Sequence, residues 1–178
     1  MDFLELAGKR ESCRSFLQDP VEKGKIDRCL EAARLAPSAC NGQPWRFIVV
    51  ESDPLRSTLA GKAFSGIYKM NAFAIEAPVI VAVVTLRTRA AATFAGLFRR
   101  FSYPLIDIGI ACEHFVLQAT EEGLGTCWLG WFDDRAVGNL LGLGFGEKVH
   151  ILLAVGYCKK ESPAKKMRKS LPEMSEYR

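Results

Sequence analysis

Four short stretches of the 178-residue chain carry side chains of the kind that hold a ligand. In Lys9 to Arg14, the residues Arg10, Ser12 and Arg14 alternate and share one side if the backbone is extended. Two guanidiniums and a hydroxyl on one edge suit a phosphate and an adjacent electron-rich ring, although such a segment also serves as a solvated surface. The second stretch runs from Ala36 to Trp45. Pro37 and Pro44 fix its ends, while Ser38, Asn41 and Gln43 offer the hydroxyl and amide groups that read ring heteroatoms. The plainer reading is a turn in which Asn41-Gly42 supplies positive φ.

The third stretch, Gly123 to Phe132, sets glycines beside Trp128, Trp131 and Phe132. It fails the G-x-G-x-x-G dinucleotide fingerprint because Trp128 stands at the last glycine position, and Gly142, Gly144 and Gly146 fail it at Glu147. A Rossmann NAD site is therefore not supported. Glycines beside large aromatics instead fit main chain approaching a flat ligand. The fourth stretch is the tail 159–178. Its seven bases against three acids carry the whole net charge of +4, with Lys166, Arg168 and Lys169 at its centre. A solvated terminus, a nucleic-acid or membrane patch and a clamp for one small anion all remain open; with no aromatic-rich basic surface, nucleic acid is the weakest.

Six cysteines show no Cys-x-x-Cys pair, and His114 and His150 are the only histidines, which argues against a metal site. The thiols read as free and mostly buried, Cys13, Cys40 and Cys127 within the motifs included, in a reducing cytoplasm. Asp2 and Glu5 without an apolar run argue against a signal peptide. The apolar run Pro78 to Leu86 is too short to span a bilayer.

The elements that must position these stretches follow from the pattern. Met1 to Ala7 reads as a short helix ending at Gly8. A second helix covers 22–36 with apolar residues at Ile26, Cys29, Leu30 and Ala33, and stops at Pro37. Arg46 to Val50 reads as a strand, and Asp53-Pro54 opens a short helix with Pro54 at its first position. Pro78 to Leu86 is a strand covered on both faces. Residues 87–102 fit a helix or a lid. Pro104 to Glu122 is a helix so apolar that it belongs in a core or an oligomer interface. Gly123 to Phe132 reads as a connection, Asp133 or Asp134 caps a helix to Leu141, and His150 to Tyr157 is a last strand. The length fits one domain, and the mix argues an α/β or α+β layered fold.

Taken together, in order, the motifs Arg10-x-Ser12-x-Arg14, Ala36-Pro37-Ser38-x-x-Asn41-x-Gln43-Pro44-Trp45-x-Phe47, Asp107-x-Gly109-x-Ala111, Gly123-Leu124-Gly125-x-x-Trp128-x-Gly130 and the basic tail resemble the nitroreductase family. That resemblance spans nearly the whole chain. It implies an α+β fold with a central, mainly antiparallel or mixed sheet flanked by helices, one domain over 1–178, and an interlocked homodimer. It implies bound FMN, NADH or NADPH as electron donor, and a small electron-poor acceptor such as a nitroaromatic or quinone. Arg10 and Ser12 would approach the FMN phosphate and ribityl, and Arg14 the N1/O2 edge. Pro37, Ser38, Ala39, Asn41 and Gln43 would contact the ring from the other subunit. Leu129 and the main-chain N–H of Gly130 would face N5, Asn71 would lie near the ring, and Arg168 or Lys169 would close over the phosphate. No side chain is expected as a covalent nucleophile. Glu11 departs from the pattern, and the stretch before Asp107 is short, so the lid is reduced. An oxygen-using or reductively group-removing flavin enzyme and a non-catalytic FMN-binding protein are the alternatives.

Overall fold

The computed structural model describes residues 2–86, 102–159 and 166–178. The expected helix or lid at 87–102 therefore falls outside the described residues except at Ser102.

Four strands form one sheet: β1 (Trp45–Val50), β2 (Val79–Thr85), β3 (Gly125–Leu129) and β4 (Lys148–Gly156), in the order β1-β2-β4-β3. Every pairing is antiparallel, with Val49 opposite Val81, Ala82 opposite Leu152 and Cys127 opposite Ala154. The β2–β4 register slips between Val83 and Val84, leaving His150 as the extra residue. One expectation needs correction here: Gly123 to Phe132 is not merely a connection, because it contains β3. The unbroken apolar run of β2 is buried on both faces, as expected.

Successive residues of β2 fall into different cores, as a two-residue period requires. Ile80, Ala82 and Val84 pack with Leu59, Ala63 and Val137 on one side. Val79, Val81 and Val83 pack with Cys29, Cys112 and Phe115 on the other. The first side is covered by α3 (Leu55–Ala63), a 3₁₀ stretch over Gly66–Glu76 and α5 (Asp134–Leu140). The second is covered by α2 (Lys23–Arg34) and α4 (Tyr103–Glu121). Phe47 of β1 stacks on Phe115 of α4 at 6.0 Å. Arg28 of α2 grips Glu122, just past α4, with two hydrogen bonds of 2.6 and 2.7 Å.

The first helix, α1 (Phe3–Lys9), starts where the Asp2 carboxylate accepts the Glu5 N–H at 2.8 Å, and it runs through Gly8 instead of ending there. Pro54 precedes α3 as its cap residue and does not occupy the first helical position, and the Asp53–Pro54 bond is cis. Asp133, not Asp134, caps α5. A short α6 (Leu171–Met174) lies in the exposed tail. α4 buries Asp107, Ile108, Ala111, Cys112, Phe115, Val116 and Ala119 but leaves Leu105 and Ile106 exposed near its start. Among the described residues no helix is long and apolar enough to cross a membrane.

The expectation of six free thiols is also overturned. Cys13 and Cys158, 145 residues apart, are joined by a disulfide, and Cys40 is exposed; Cys29, Cys112 and Cys127 are the free, buried ones. Burial pushes the Cys29 and Cys112 thiols up to about 12.

Candidate functional site

The segment after α1 runs along the free edge of β3. Ser12 forms a parallel bridge with Thr126, the Cys13 N–H donates to the Thr126 carbonyl at 2.9 Å, and Phe16 bridges to Cys158 beyond β4. This extended path turns Cys13 and Phe16 into the first core and leaves Ser12 and Arg14 exposed, with Arg10 half-buried at the α1 C-cap. The Cys127 thiol on β3 is raised by burial and eased back by the charges of Arg14 and Arg10, so both guanidiniums lie within electrostatic reach of one strand position.

The tail returns to this place. Lys166 donates from Nζ to the carbonyl of Ala7 at 2.8 Å, against the last turn of α1. Its ammonium is lowered first by burial, then by the like charges of Arg10 and Arg168, with Glu11 and Glu113 pulling the other way. Arg10, Lys166 and Arg168 thus form one basic cluster, and Glu11, a departure from the motif, acts as a partial counter-charge. Arg168 donates to the carbonyl of its neighbour Met167, and Lys169 is exposed.

At the end of β3, Leu129 faces the first core and is 2 % exposed, so it can offer a ligand only main chain. Gly130 is exposed, and a Cβ added there would meet nothing within 4 Å. The link that follows is pinned by the 3₁₀ stretch. Asn71 donates from Nδ2 to the Trp131 carbonyl at 2.8 Å, Trp131 donates from Nε1 to the Ile67 carbonyl at 3.2 Å, and the Tyr68 and Trp131 rings meet at 5.2 Å. Asn71 is therefore tied to the residue that follows Gly130. Tyr68 was missed by sequence reasoning because 66–76 shows neither helical nor strand periodicity, and the exposed Trp131 was noted in its stretch but given no role.

The loop 36–45 is built separately, on α4. The Asp107 carboxylate, 5 % exposed, accepts the Ala39 N–H at 3.0 Å. Ser38 Oγ accepts the Gln43 N–H at 3.0 Å, and Gln43 Nε2 donates to Asn41 Oδ1 at 3.0 Å. Cys40, Asn41 and Gln43 all adopt positive φ, at 52°, 51° and 43°, whereas Gly42 does not. Three non-glycine residues in the left-handed region are held there by surrounding bonds, a form of strain that gathers at ligand-binding loops. Pro37 is exposed and Pro44 buried. Asp107 escaped the list of site residues, although its place in the Asp107-x-Gly109-x-Ala111 motif, as the only carboxylate in the apolar first half of the helix, was its signal. Among the described residues no hydrogen bond ties this loop to the Arg10–Arg14 segment or to Gly130. One chain thus presents two candidate half-sites: the basic cluster with Gly130 and Asn71, and the strained loop on α4.

The stretches 9–14, 36–45 and 123–132 lie within residues 7–157, and those residues match the profile of the nitroreductase family; the basic tail lies beyond the match. An NADH dehydrogenase of Thermus thermophilus is 29 % identical over 183 residues, covering 88 % of this chain and 87 % of its own. A 5,6-dimethylbenzimidazole synthase of Rhodobacter capsulatus is 32 % identical over 152 residues, covering 74 % and 72 %. The solved structure of an FMN-dependent nitroreductase from Clostridium difficile R20291 shares the fold with a TM-score of 0.76, 24 % identity and 98 % of each chain covered. With its sheet, its motif order and this match in agreement, the chain belongs to the nitroreductase family.

Proposed function

We propose that this chain is an FMN-dependent oxidoreductase that passes reducing equivalents from NADH or NADPH to an electron-poor acceptor, such as a nitroaromatic or quinone, by a ping-pong mechanism. The observation that carries the reading is the convergence of Arg10, Lys166 and Arg168 beside α1. Burial first, and then the like charges of Arg10 and Arg168, lower the Lys166 ammonium; an anion with several acceptor oxygens offsets both. A phosphate monoester fits this donor set, with the exposed Ser12 hydroxyl alongside.

Bound FMN supplies the redox chemistry, two-electron transfer through ring N5. The chain's own residues bind and orient it. Arg10, Ser12 and Arg168, with Lys169 as the other tail candidate, are assigned to the phosphate and ribityl. Arg14 is assigned to the N1/O2 edge, where a guanidinium favours negative charge on the ring. Gly130, open on its Cα side, lets main chain reach the ring and offers its N–H, with Leu129 contributing only backbone. Asn71 fixes the Gly130–Trp131 link through the Trp131 carbonyl and borders the ring.

The loop carrying Pro37, Ser38, Ala39, Asn41 and Gln43 is assigned to the cofactor held by a second copy of the chain. The separation of the two half-sites supports this, as does the exposed apolar start of α4 at Leu105 and Ile106. We take the whole of 1–178 as one functional domain, working in the cytoplasm as a homodimer.

The test is the spectrum of the purified protein followed by anaerobic mixing with NADH and with NADPH. Flavin bands near ~450 nm that bleach on mixing are expected. Colourless protein that takes up no added FMN overturns the reading, and bound flavin that neither donor reduces favours a non-catalytic carrier. The similarity to the Rhodobacter synthase favours a second reading, a specialised flavin enzyme of the same fold. Product analysis with and without oxygen separates the two.

A further inference from the structure

The Cys13–Cys158 pair sits where the two halves of the basic cluster are joined to the sheet. Cys13 lies between Ser12 and Arg14, and Cys158 is the residue from which the chain leaves β4 for the tail that carries Lys166 and Arg168. The backbones around them are already in register: Leu17 donates to Tyr157 at 2.8 Å and Lys159 to Ser15 at 3.0 Å. Gly125, at the start of β3, makes the room. A Cβ there would collide with Cys158 Sγ and would lie 2.8 Å from Cys13 Cβ and 3.0 Å from Cys13 Sγ. Cys13 Sγ also stands 3.2 Å from the Ser15 carbonyl, so the reduced thiol has an acceptor waiting and loses no partner when the bond opens.

We propose that Cys13 and Cys158 form a reversible thiol–disulfide site that sets how tightly the chain retains its phosphorylated cofactor. Oxidation by a peroxide removes two hydrogens and two electrons from the thiols: one S–S bond forms, the O–O bond breaks, and hydrogen peroxide leaves as two waters. A small dithiol reverses the step by exchange, becoming a disulfide itself. The other buried thiols compete poorly, because burial raises Cys127 and pushes Cys29 and Cys112 up to about 12.

The closed bond ties the Arg10–Arg14 segment to the base of the tail, so that Arg10, Ser12, Lys166 and Arg168 are ordered before the anion arrives. Prior ordering of such long side chains strengthens binding without adding a contact. Opening the bond leaves the same donors in place but removes the covalent tie, so that main-chain hydrogen bonds alone hold the tail's base to the Cys13 segment.

This inference rests on the FMN reading above for its ligand. The test takes the full chain, oxidised with hydrogen peroxide or reduced with dithiothreitol, and titrates FMN by the quenching of its fluorescence. Peptide mass mapping of the same samples records the Cys13–Cys158 link and the state of the exposed Cys40. The expected result is the linked peptide only after oxidation, with an FMN Kd about tenfold lower than in the reduced sample. Cys158→Ser, which leaves the phosphate donors untouched, is expected to show the weaker Kd under both treatments. A peroxide-treated chain that never yields the linked peptide overturns the proposal, and so does a linked chain whose Kd equals that of the reduced one. Failure to bind FMN in either state sinks the flavin reading and this coupling together, whereas binding indifferent to the link sinks the coupling alone.

Discussion

The carboxylate of Asp107, buried in α4, accepts the main-chain N–H of Ala39 at 3.0 Å, and this bond anchors a loop in which three non-glycine residues hold positive φ. A bond from one helix thus maintains a backbone shape that the loop's own residues disfavour.

Removing that anchor frees the loop and strips an acceptor from a buried N–H. Asp107→Ala is expected to cost about 1–3 kcal/mol in urea unfolding, the scale of a lost charge-assisted hydrogen bond. FMN affinity should fall with it, and Asp107→Asn, which keeps an oxygen in place, should recover part of both. Unchanged stability and FMN binding in the alanine variant would show that the loop holds its shape alone.

The basic cluster makes a prediction that salt can read. Arg10→Ala and Lys166→Ala should each raise the FMN Kd about tenfold, on the order of one charge-assisted hydrogen bond. Added salt should weaken the parent chain's binding more than that of either variant. Arg14→Ala should instead lower the flavin potential or its occupancy, measured by dye-coupled reduction. No change in either quantity removes Arg14 from the ring edge.

Glu122 sets an acid limit on stability. Its hydrogen bonds with Arg28, foremost, and Gln118 hold the carboxyl down at about 2 against an ordinary 4.5. A folded-state value below the unfolded one gives stabilisation that is fully present above about 4.5 and lost as the pH falls toward 2. Thermal unfolding across that window should be steeper in pH for the parent than for Glu122→Gln, which has nothing to titrate there. Parallel profiles would mean that the Arg28 grip does not couple to folding.

Gly125 should tolerate no side chain. Gly125→Ala drives a methyl into Cys158 Sγ and toward Cys13 Cβ at 2.8 Å, so either the start of β3 or the Cys13 segment must shift. A loss of about 1–3 kcal/mol is expected from overpacking, read as a lower Tm. Gly130→Ala, with nothing within 4 Å, should leave Tm unchanged and report only on ligand approach.

Much of the frame was legible because burial writes itself into spacing. Ile26, Cys29 and Ala33 announced α2, and the apolar run at 79–85 announced a strand covered on both sides. β3 was hidden by its composition: glycines at 123, 125 and 130 read as turns, although Thr126 and Trp128 alternate with Cys127 and Leu129 as a strand requires. Gly125 serves close approach to the Cys13 and Cys158 sulfurs, not a bend, whereas Gly123, at φ 76°, does sit in a turn. The Cys13–Cys158 pair could not be read at all, since a separation of 145 residues says nothing about which thiols meet. The site residues were legible by motif and order, but their division into two half-sites depends on which elements carry them, and only the fold reveals that.

The two margins of the sheet are treated differently. The β3 margin is closed by the Ser12–Phe16 segment, whereas β1 ends the order β1-β2-β4-β3 with no further strand beside it among the described residues. Such an open margin is a template for unwanted strand addition and aggregation. Arg46, exposed in the second position of β1, reaches instead across β2 to Glu147, just before β4, at 2.7 Å, so its charge clasps three strands together and leaves that margin to its main chain.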